Sequence, residues 1–255
     1  MKIFSRYKIT AFVVVLLMAF NMDNKRITVF MAGDSTMSLK ETKAYPETGW
    51  GMPFAYFFDS SITIVNKAKN GRSTRTFISE GLWASIIDNV KPGDYVFIEF
   101  GHNDESKEKT DRYTTPEEYK ANLTRFVTET RNKKGLPILL TPVSRRKFDA
   151  SGTALETHEI YSPLVREVAK EQNVPLIDLD EKSKELLGQM GPENSKLLFN
   201  KLAPGEHPNY PEGVDDNTHF NELGARKMAE LVLQSMKDMK IELATHLTAG
   251  RKGAK

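Results

Sequence analysis

Three side chains of a type suited to acyl transfer, Ser35, Asp216 and His219, lie far apart in this 255-residue chain. Ser35 stands in Gly33-Asp34-Ser35-Thr36, straight after the apolar run Ile27–Ala32. Asp216 precedes His219 by three residues in Asp216-Asn217-Thr218-His219. A neutral serine hydroxyl is a weak nucleophile and needs a base within hydrogen-bond reach. His219 can take that proton and return it to a leaving alcohol, while Asp216 fixes the tautomer of the ring. The oxyanion of a tetrahedral intermediate then needs preorganised donors. The candidates are the Ser35 and Gly71 backbone N–H groups and the Asn103 side-chain amide, from Asn70-Gly71-Arg72-Ser73 and Gly101-His102-Asn103-Asp104. A glycine suits the second donor, because the backbone must approach a ligand with no Cβ in the way.

Each cluster alone also has a structural reading. Asp34, Ser35 or Thr36 can cap a helix, Asn70-Gly71 is a turn pair, Asn103-Asp104 can turn the chain, and Asp216 can cap the last helix. What favours chemistry is their common position. Five short, nearly continuous apolar segments read as strands covered on both faces: Ile27–Ala32, Ile62–Asn66, Tyr95–Phe100, Ile138–Pro142 and Pro175–Leu179. Helical patterns run between or after them over Thr76–Val90, Pro116–Lys133, Leu155–Gln172 and Asn221–Met239, with Thr115-Pro116 as a start and Gly135 as a stop. The alternation predicts an α/β fold, a three-layer α/β/α sandwich on a five-stranded, mostly parallel sheet. Ligands bind at the carboxyl ends of such strands, where these clusters fall. Lys201–Asn217, rich in Pro and Gly, reads as the longest structureless segment, and it leads directly to His219.

The motifs GDS, a glycine in the second block, G-x-N-D and D-x-x-H, in this order, resemble those of the SGNH (GDSL-like) hydrolase superfamily. The longer strings PETGWG (Pro46–Gly51), NGRSTRTF (Asn70–Phe77), KPGDYVFIEFGHND (Lys91–Asp104) and DNTHFNELGA (Asp216–Ala225) are similar to the rhamnogalacturonan acetylesterase branch. Thr36 replaces the Leu of Gly-Asp-Ser-Leu, as that branch does. The resemblance implies a flavodoxin-like fold and a Ser35–His219–Asp216 triad. It also implies an oxyanion hole from Ser35, Gly71 and Asn103, with no cofactor or metal. The implied substrate is an acetylated polysaccharide or oligosaccharide, of the rhamnogalacturonan or pectin class. The alternatives are the same chemistry on a xylan acetyl ester, lipid or thioester, or a non-catalytic glycan-binding protein.

His102, beside Asn103, and His207, in the long loop, are candidate substrate contacts. Arg72 and Arg75 follow the oxyanion glycine, and a guanidinium fork matches the carboxylate of a uronic acid. Trp50 reads as a core residue rather than a sugar-stacking ring, and His158 as part of a solvated helical face. No two histidines share the i, i+4 spacing of a helical metal site, so no metal is expected.

Charge and composition narrow the classes further. Apolar residues make up 39%, charged residues 27%, and the net charge is +2, which gives no reason to expect nucleic acid as a partner. Lys2, Arg6 and Lys8 precede the apolar run Ile9–Phe20, the pattern of an export signal over residues 1–22, with an uncleaved membrane anchor as the alternative because no A-x-A site follows. The expected location is periplasmic or extracellular, with no other membrane contact. A single catalytic domain is expected over 23–245, with a frayed tail over 246–255. Cysteine is absent, so the core must supply the stability.

Overall fold

The computed structural model describes residues 26–248, so the expected export segment 1–22 lies outside the described residues. Five parallel strands form the sheet: β1 (Ile27–Gly33), β2 (Ile62–Asn66), β3 (Tyr95–Glu99), β4 (Leu136–Leu140) and β5 (Leu176–Ile177). Their spatial order is β2-β1-β3-β4-β5, every neighbouring pair is parallel, and Gly33 pairs with Glu99 at the carboxyl edge. Alternate side chains of each strand feed two separate cores. Val29, Met31, Phe97 and Leu140 pack with Phe54, Met228 and Val232, while Phe30, Ala32, Val96 and Ile98 pack with Trp83, Leu123, Phe126 and Val165. This is the three-layer α/β/α sandwich expected from the alternation of elements.

The helices are α1 (Gly51–Phe54), α2 (Thr74–Ser79), α3 (Leu82–Ile87), α4 (Pro116–Asn132), α5 (Tyr161–Glu171), α6 (Leu179–Asn194) and α7 (Glu222–Asp238). Helix α4 starts as read from the sequence. Thr115 caps it in a reciprocal box with Glu118, and Pro116 takes the first turn. Its left-handed terminating residue is Lys134 (φ 61°) rather than Gly135. The single helix expected over Thr76–Val90 is two, because Gly81 (φ 72°) breaks it. Helix α5 starts six residues later than expected; Pro163 in its first turn bars extension toward Leu155. Helix α6 was not expected, and it takes the last residue, Leu179, of the expected fifth strand: Asp178 caps it, its carboxylate accepting the Glu181 N–H at 3.4 Å.

Two further differences bear on the site. The segment expected to be structureless over Lys201–Asn217 is ordered at both ends, with β6 (Phe199–Leu202) antiparallel to β7 (Val214–Phe220). Residues 246–248 of the expected tail are ordered, and 249–255 lie outside the described residues. Leu247 bridges Phe58, and the Thr248 N–H donates to the Phe57 carbonyl.

Candidate active site

Ser35 leaves the carboxyl end of β1 in a tight turn rather than in a helix. Asp34 shapes it, its Oδ1 accepting the Thr36 N–H (3.0 Å) and Thr36 Oγ1 (2.8 Å). The Trp50 and Gly51 N–H groups donate to the carbonyls of Thr36 and Met37, so the turn is pinned from outside as well. Ser35 itself is almost wholly buried, and its Oγ lies 2.8 Å from His219 Nε2.

Asp216 and His219 sit on β7, where the strand is bulged. Phe199 pairs with Phe220 and Lys201 with Asp215, so between these pairs four residues of β7 run against one of β6. The extra length lets side chains three apart meet, which a regular strand would send to opposite faces. His219 Nδ1 lies 2.7 Å from Asp216 Oδ2, while Asp216 Oδ1 accepts the N–H groups of Thr218 (2.6 Å) and His219 (2.9 Å). Burial alone would lift the Asp216 carboxyl, but the His219 ring and these N–H donors outweigh it and hold it down at about 2. Two arginines that follow β4 hold the bulge. Arg145 Nη1 donates to Thr218 Oγ1 at 2.8 Å, and Arg146 donates to the carbonyl and the side chain of Asn217, both at 2.8 Å. Sequence reading missed both arginines, although their place just past a parallel strand's carboxyl end was the available signal.

The loop Asn70-Gly71-Arg72 is clamped on both sides. Asn103 Nδ2 donates to the Arg72 carbonyl at 3.1 Å, and the Asn70 side-chain oxygen accepts from Ser38 Oγ and from Lys40 Nζ (2.8 Å). Gly71 has φ +76°, a left-handed conformation that favours glycine. Among the described residues neither the Ser35 nor the Gly71 N–H has a backbone or side-chain acceptor, so both remain open to a ligand oxygen. Lys40 also donates to the Ser35 carbonyl at 2.6 Å and pairs with Glu47 at 2.7 Å, its side chain only 2% exposed. Burial pulls this ammonium below its ordinary value against the opposing pull of Glu47. Nothing in the spacing of the sequence marked Lys40; it joins the Ser35 turn to the glycine loop.

Beneath the turn lies a buried polar chain. His102 Nδ1 meets Asp34 Oδ2 at 3.2 Å, and Thr36 Oγ1 lies 3.1 Å from Glu99 Oε1. Burial drives the His102 ring down to about 4, so at neutral pH it is uncharged and donates Nδ1–H to the Asp34 carboxylate. His102 therefore supports the turn from below through Asp34. Burial and the nearby Asp34 charge push Glu99 up to about 8, so it is a neutral acid at pH 7. Donor counting agrees: the one Thr36 hydroxyl proton serves Asp34, so the contact to Glu99 needs a proton from Glu99. Its other oxygen accepts the Trp50 indole N–H at 2.7 Å, and Trp50 is a core residue, as read.

The remaining candidates fall elsewhere. Arg72 turns back, donating to Glu80 (3.0 Å) and to the Asn70 carbonyl (2.8 Å), and Arg75 donates to the Thr110 carbonyl (2.7 Å). The His207 ring packs on Tyr45 with centroids 5.6 Å apart, and none of its described bonds reaches Ser35 or His219. His158 is a correction. It is buried, outside any helix, with Nδ1 3.0 Å from Glu105 and Nε2 2.9 Å from the Val143 carbonyl. Among the described residues, no group of three or more His, Asp and Glu side chains could hold a metal ion, and no helix is long and apolar enough to cross a membrane.

A hydroxyl on an imidazole, the imidazole on a carboxylate, and open N–H donors alongside can activate a serine and stabilise an oxyanion. The comparisons with known proteins agree with that chemistry. Residues 31–227 match the GDSL-like Lipase/Acylhydrolase family. The chain is 41% identical to the rhamnogalacturonan acetylesterase RhgT of Bacillus subtilis (strain 168) over 89% of its own length and 97% of that protein's. It is 34% identical to the probable rhamnogalacturonan acetylesterase YesY of the same organism, over 88% and 98% of the two chains. The crystal structure of B. subtilis YxiM, 26% identical, has a TM-score of 0.73 and covers 85% of this chain and 57% of its own. Axe2, an acetylxylan esterase from Geobacillus stearothermophilus, is 19% identical with a TM-score of 0.58 over 83% of this chain and 96% of that one, and shares the fold. The chain belongs to the GDSL-like lipase/acylhydrolase family.

Proposed function

We propose that this protein is a carbohydrate esterase that removes acetyl groups from plant cell-wall polysaccharide of the rhamnogalacturonan class. The observation that carries the reading is the continuous contact from Ser35 Oγ through the His219 ring to Asp216, at 2.8 and 2.7 Å. Ser35 attacks the acetyl carbonyl while His219 Nε2 takes its proton. The oxyanion forms against the Ser35 and Gly71 N–H groups and the Asn103 amide. As the tetrahedral intermediate collapses, the C–O bond to the sugar breaks, His219 gives the proton to the departing sugar oxygen, and the acetyl group stays on Ser35 as an ester. Water, deprotonated by His219, then releases it. Asp216 steadies the imidazolium in both halves of the cycle.

The substrate class is supported by the 41% identity to RhgT over nearly the whole of both chains. Export is supported by the basic-then-apolar pattern of residues 2–20, since a cell-wall polymer must be met outside the cell. The test is acetate release from acetylated rhamnogalacturonan, homogalacturonan and xylan, beside a p-nitrophenyl ester series from acetyl to octanoyl. Rhamnogalacturonan is expected to give the highest kcat/KM, and acetyl to exceed longer acyl groups. A preference for octanoyl esters or for xylan would overturn the substrate class, and saturable binding without acetate release would overturn the enzyme.

A further inference from the structure

An unassigned arginine stands at the oxyanion loop. A Cβ placed on Gly71 would lie 3.0 Å from Arg112 Nη1, so the guanidinium rests directly against this glycine. The Arg112 Nε is buried with no hydrogen-bond partner, and no acceptor meets Nη1 among the described residues. Among the described residues its one acidic contact is Asp111, its chain neighbour, at 3.3 Å; that carboxylate is 70% exposed, and such a pair is screened by solvent. Arg72 and Arg75, the arginines next to Gly71 in sequence, spend their donors on Glu80, Asn70 and Thr110 instead. Arg112 arrives from the other side, on the loop between Asp104 and α4. That loop is fixed by the Thr114 N–H on the Asp104 carbonyl and the Arg112 N–H on the Lys109 carbonyl, both at 3.0 Å.

We propose that Arg112 is the specificity-determining residue that holds a uronate carboxylate of the polysaccharide while the acetyl group occupies the oxyanion hole. This inference rests on the acetylesterase reading above. The end of the guanidinium that carries Nη1 and Nη2 offers the planar fork that matches a carboxylate, and among the described residues Nη1 meets no acceptor. The position also limits which residue of the polymer is read. A group against Gly71 touches the sugar that carries the ester, or its immediate neighbour, and not a distant unit.

The test compares kcat/KM of the wild-type protein on acetylated rhamnogalacturonan oligosaccharide before and after reduction of its carboxyl groups to alcohols. Arg112→Gln and Arg112→Lys are assayed on the same two substrates and on p-nitrophenyl acetate. A charge-assisted bidentate contact should make the wild-type value fall about tenfold or more on reduction. In R112Q the loss on the uronate ester should exceed the loss on p-nitrophenyl acetate by about the same factor, with little further loss on reduction, and R112K should lie between. Equal wild-type rates on the two oligosaccharides would overturn the proposal without reference to any variant. So would equal R112Q losses on the sugar ester and on p-nitrophenyl acetate. Absence of acetate release from either oligosaccharide by the wild-type protein would instead overturn the acetylesterase reading.

Discussion

Asp216 shows how much of the proposed chemistry depends on which atom faces which. Its Oδ1 is occupied by the N–H groups of Thr218 and His219, and only Oδ2 reaches the ring. An asparagine in that place would keep its oxygen on the two N–H groups and turn its NH2 toward His219 Nδ1. The ring would then have to accept there and carry its proton on Nε2, where it can no longer take one from Ser35. Asp216→Asn should therefore lower kcat by about a thousand-fold to ten-thousand-fold while KM stays within a few-fold, in steady-state kinetics on p-nitrophenyl acetate. A loss below about tenfold would mean that the tautomer is not set at this carboxylate. At this scale the sequence was informative where types and spacing are distinctive. Ser35, Asp216 and His219 do meet, and Asn103 does reach the glycine loop. Lys40, Glu99 and Arg112 were illegible because a single charged residue in a polar or apolar run looks the same whether it ends in water or beside the Ser35 turn and the glycine loop.

Among elements, the carboxyl end of β3 stitches the edge of the sheet together. Glu99 contacts Thr36 after β1, receives the indole N–H of Trp50 before α1, and receives the Val143 N–H after β4 at 3.3 Å. A neutral acid there has a consequence for stability against pH. Its folded value, about 8, lies above the unfolded value near 4.3, so the folded state binds the extra proton between them. The contribution is complete below the unfolded value and is lost as pH rises through the folded one. Asp104, raised to about 7 by burial, acts in the same direction. Glu99→Gln keeps an acceptor for Trp50 and a donor for Thr36, takes the acceptor from the Val143 N–H, and cannot ionise. Its urea midpoint relative to wild type should therefore rise between pH 5 and pH 8.5, whatever its offset at pH 5. A constant or falling difference would show that Glu99 is ionised in the folded protein. The parallel sheet was readable because each strand is a short apolar run buried on both faces. The β6–β7 pair was not, since Val214–Phe220 is polar from Asp215 to His219 and owes its form to a partner and to Arg145 and Arg146.

Over the whole molecule, the site is a product of topology. The Ser35 turn, the glycine loop and the Asn103 loop leave the sheet after β1, β2 and β3, which lie side by side in the order β2-β1-β3. The acid–imidazole pair arrives from 184 residues away in sequence on a strand outside that sheet. The Thr48 N–H on the Phe220 carbonyl, at 2.8 Å, joins the two halves directly. Helix α7 then carries Met228, Val232 and Met236 into the same core as Val29 and Met31, fixing the position of β7 through the body of the protein. No single motif contains this arrangement; the order of four short motifs along one α/β chain does. The most direct measurement is peptide mass mapping of the protein after inactivation by a p-nitrophenyl phosphonate ester, with Ser35→Ala and His219→Ala treated in parallel. Nucleophilic catalysis by Ser35 predicts one stoichiometric adduct on Ser35 in the wild-type protein, activity lost in step with it, and no adduct at equal exposure in either variant. Inactivation with the adduct on another residue, or a Ser35→Ala protein that still turns over acetyl ester at the wild-type rate, would contradict it.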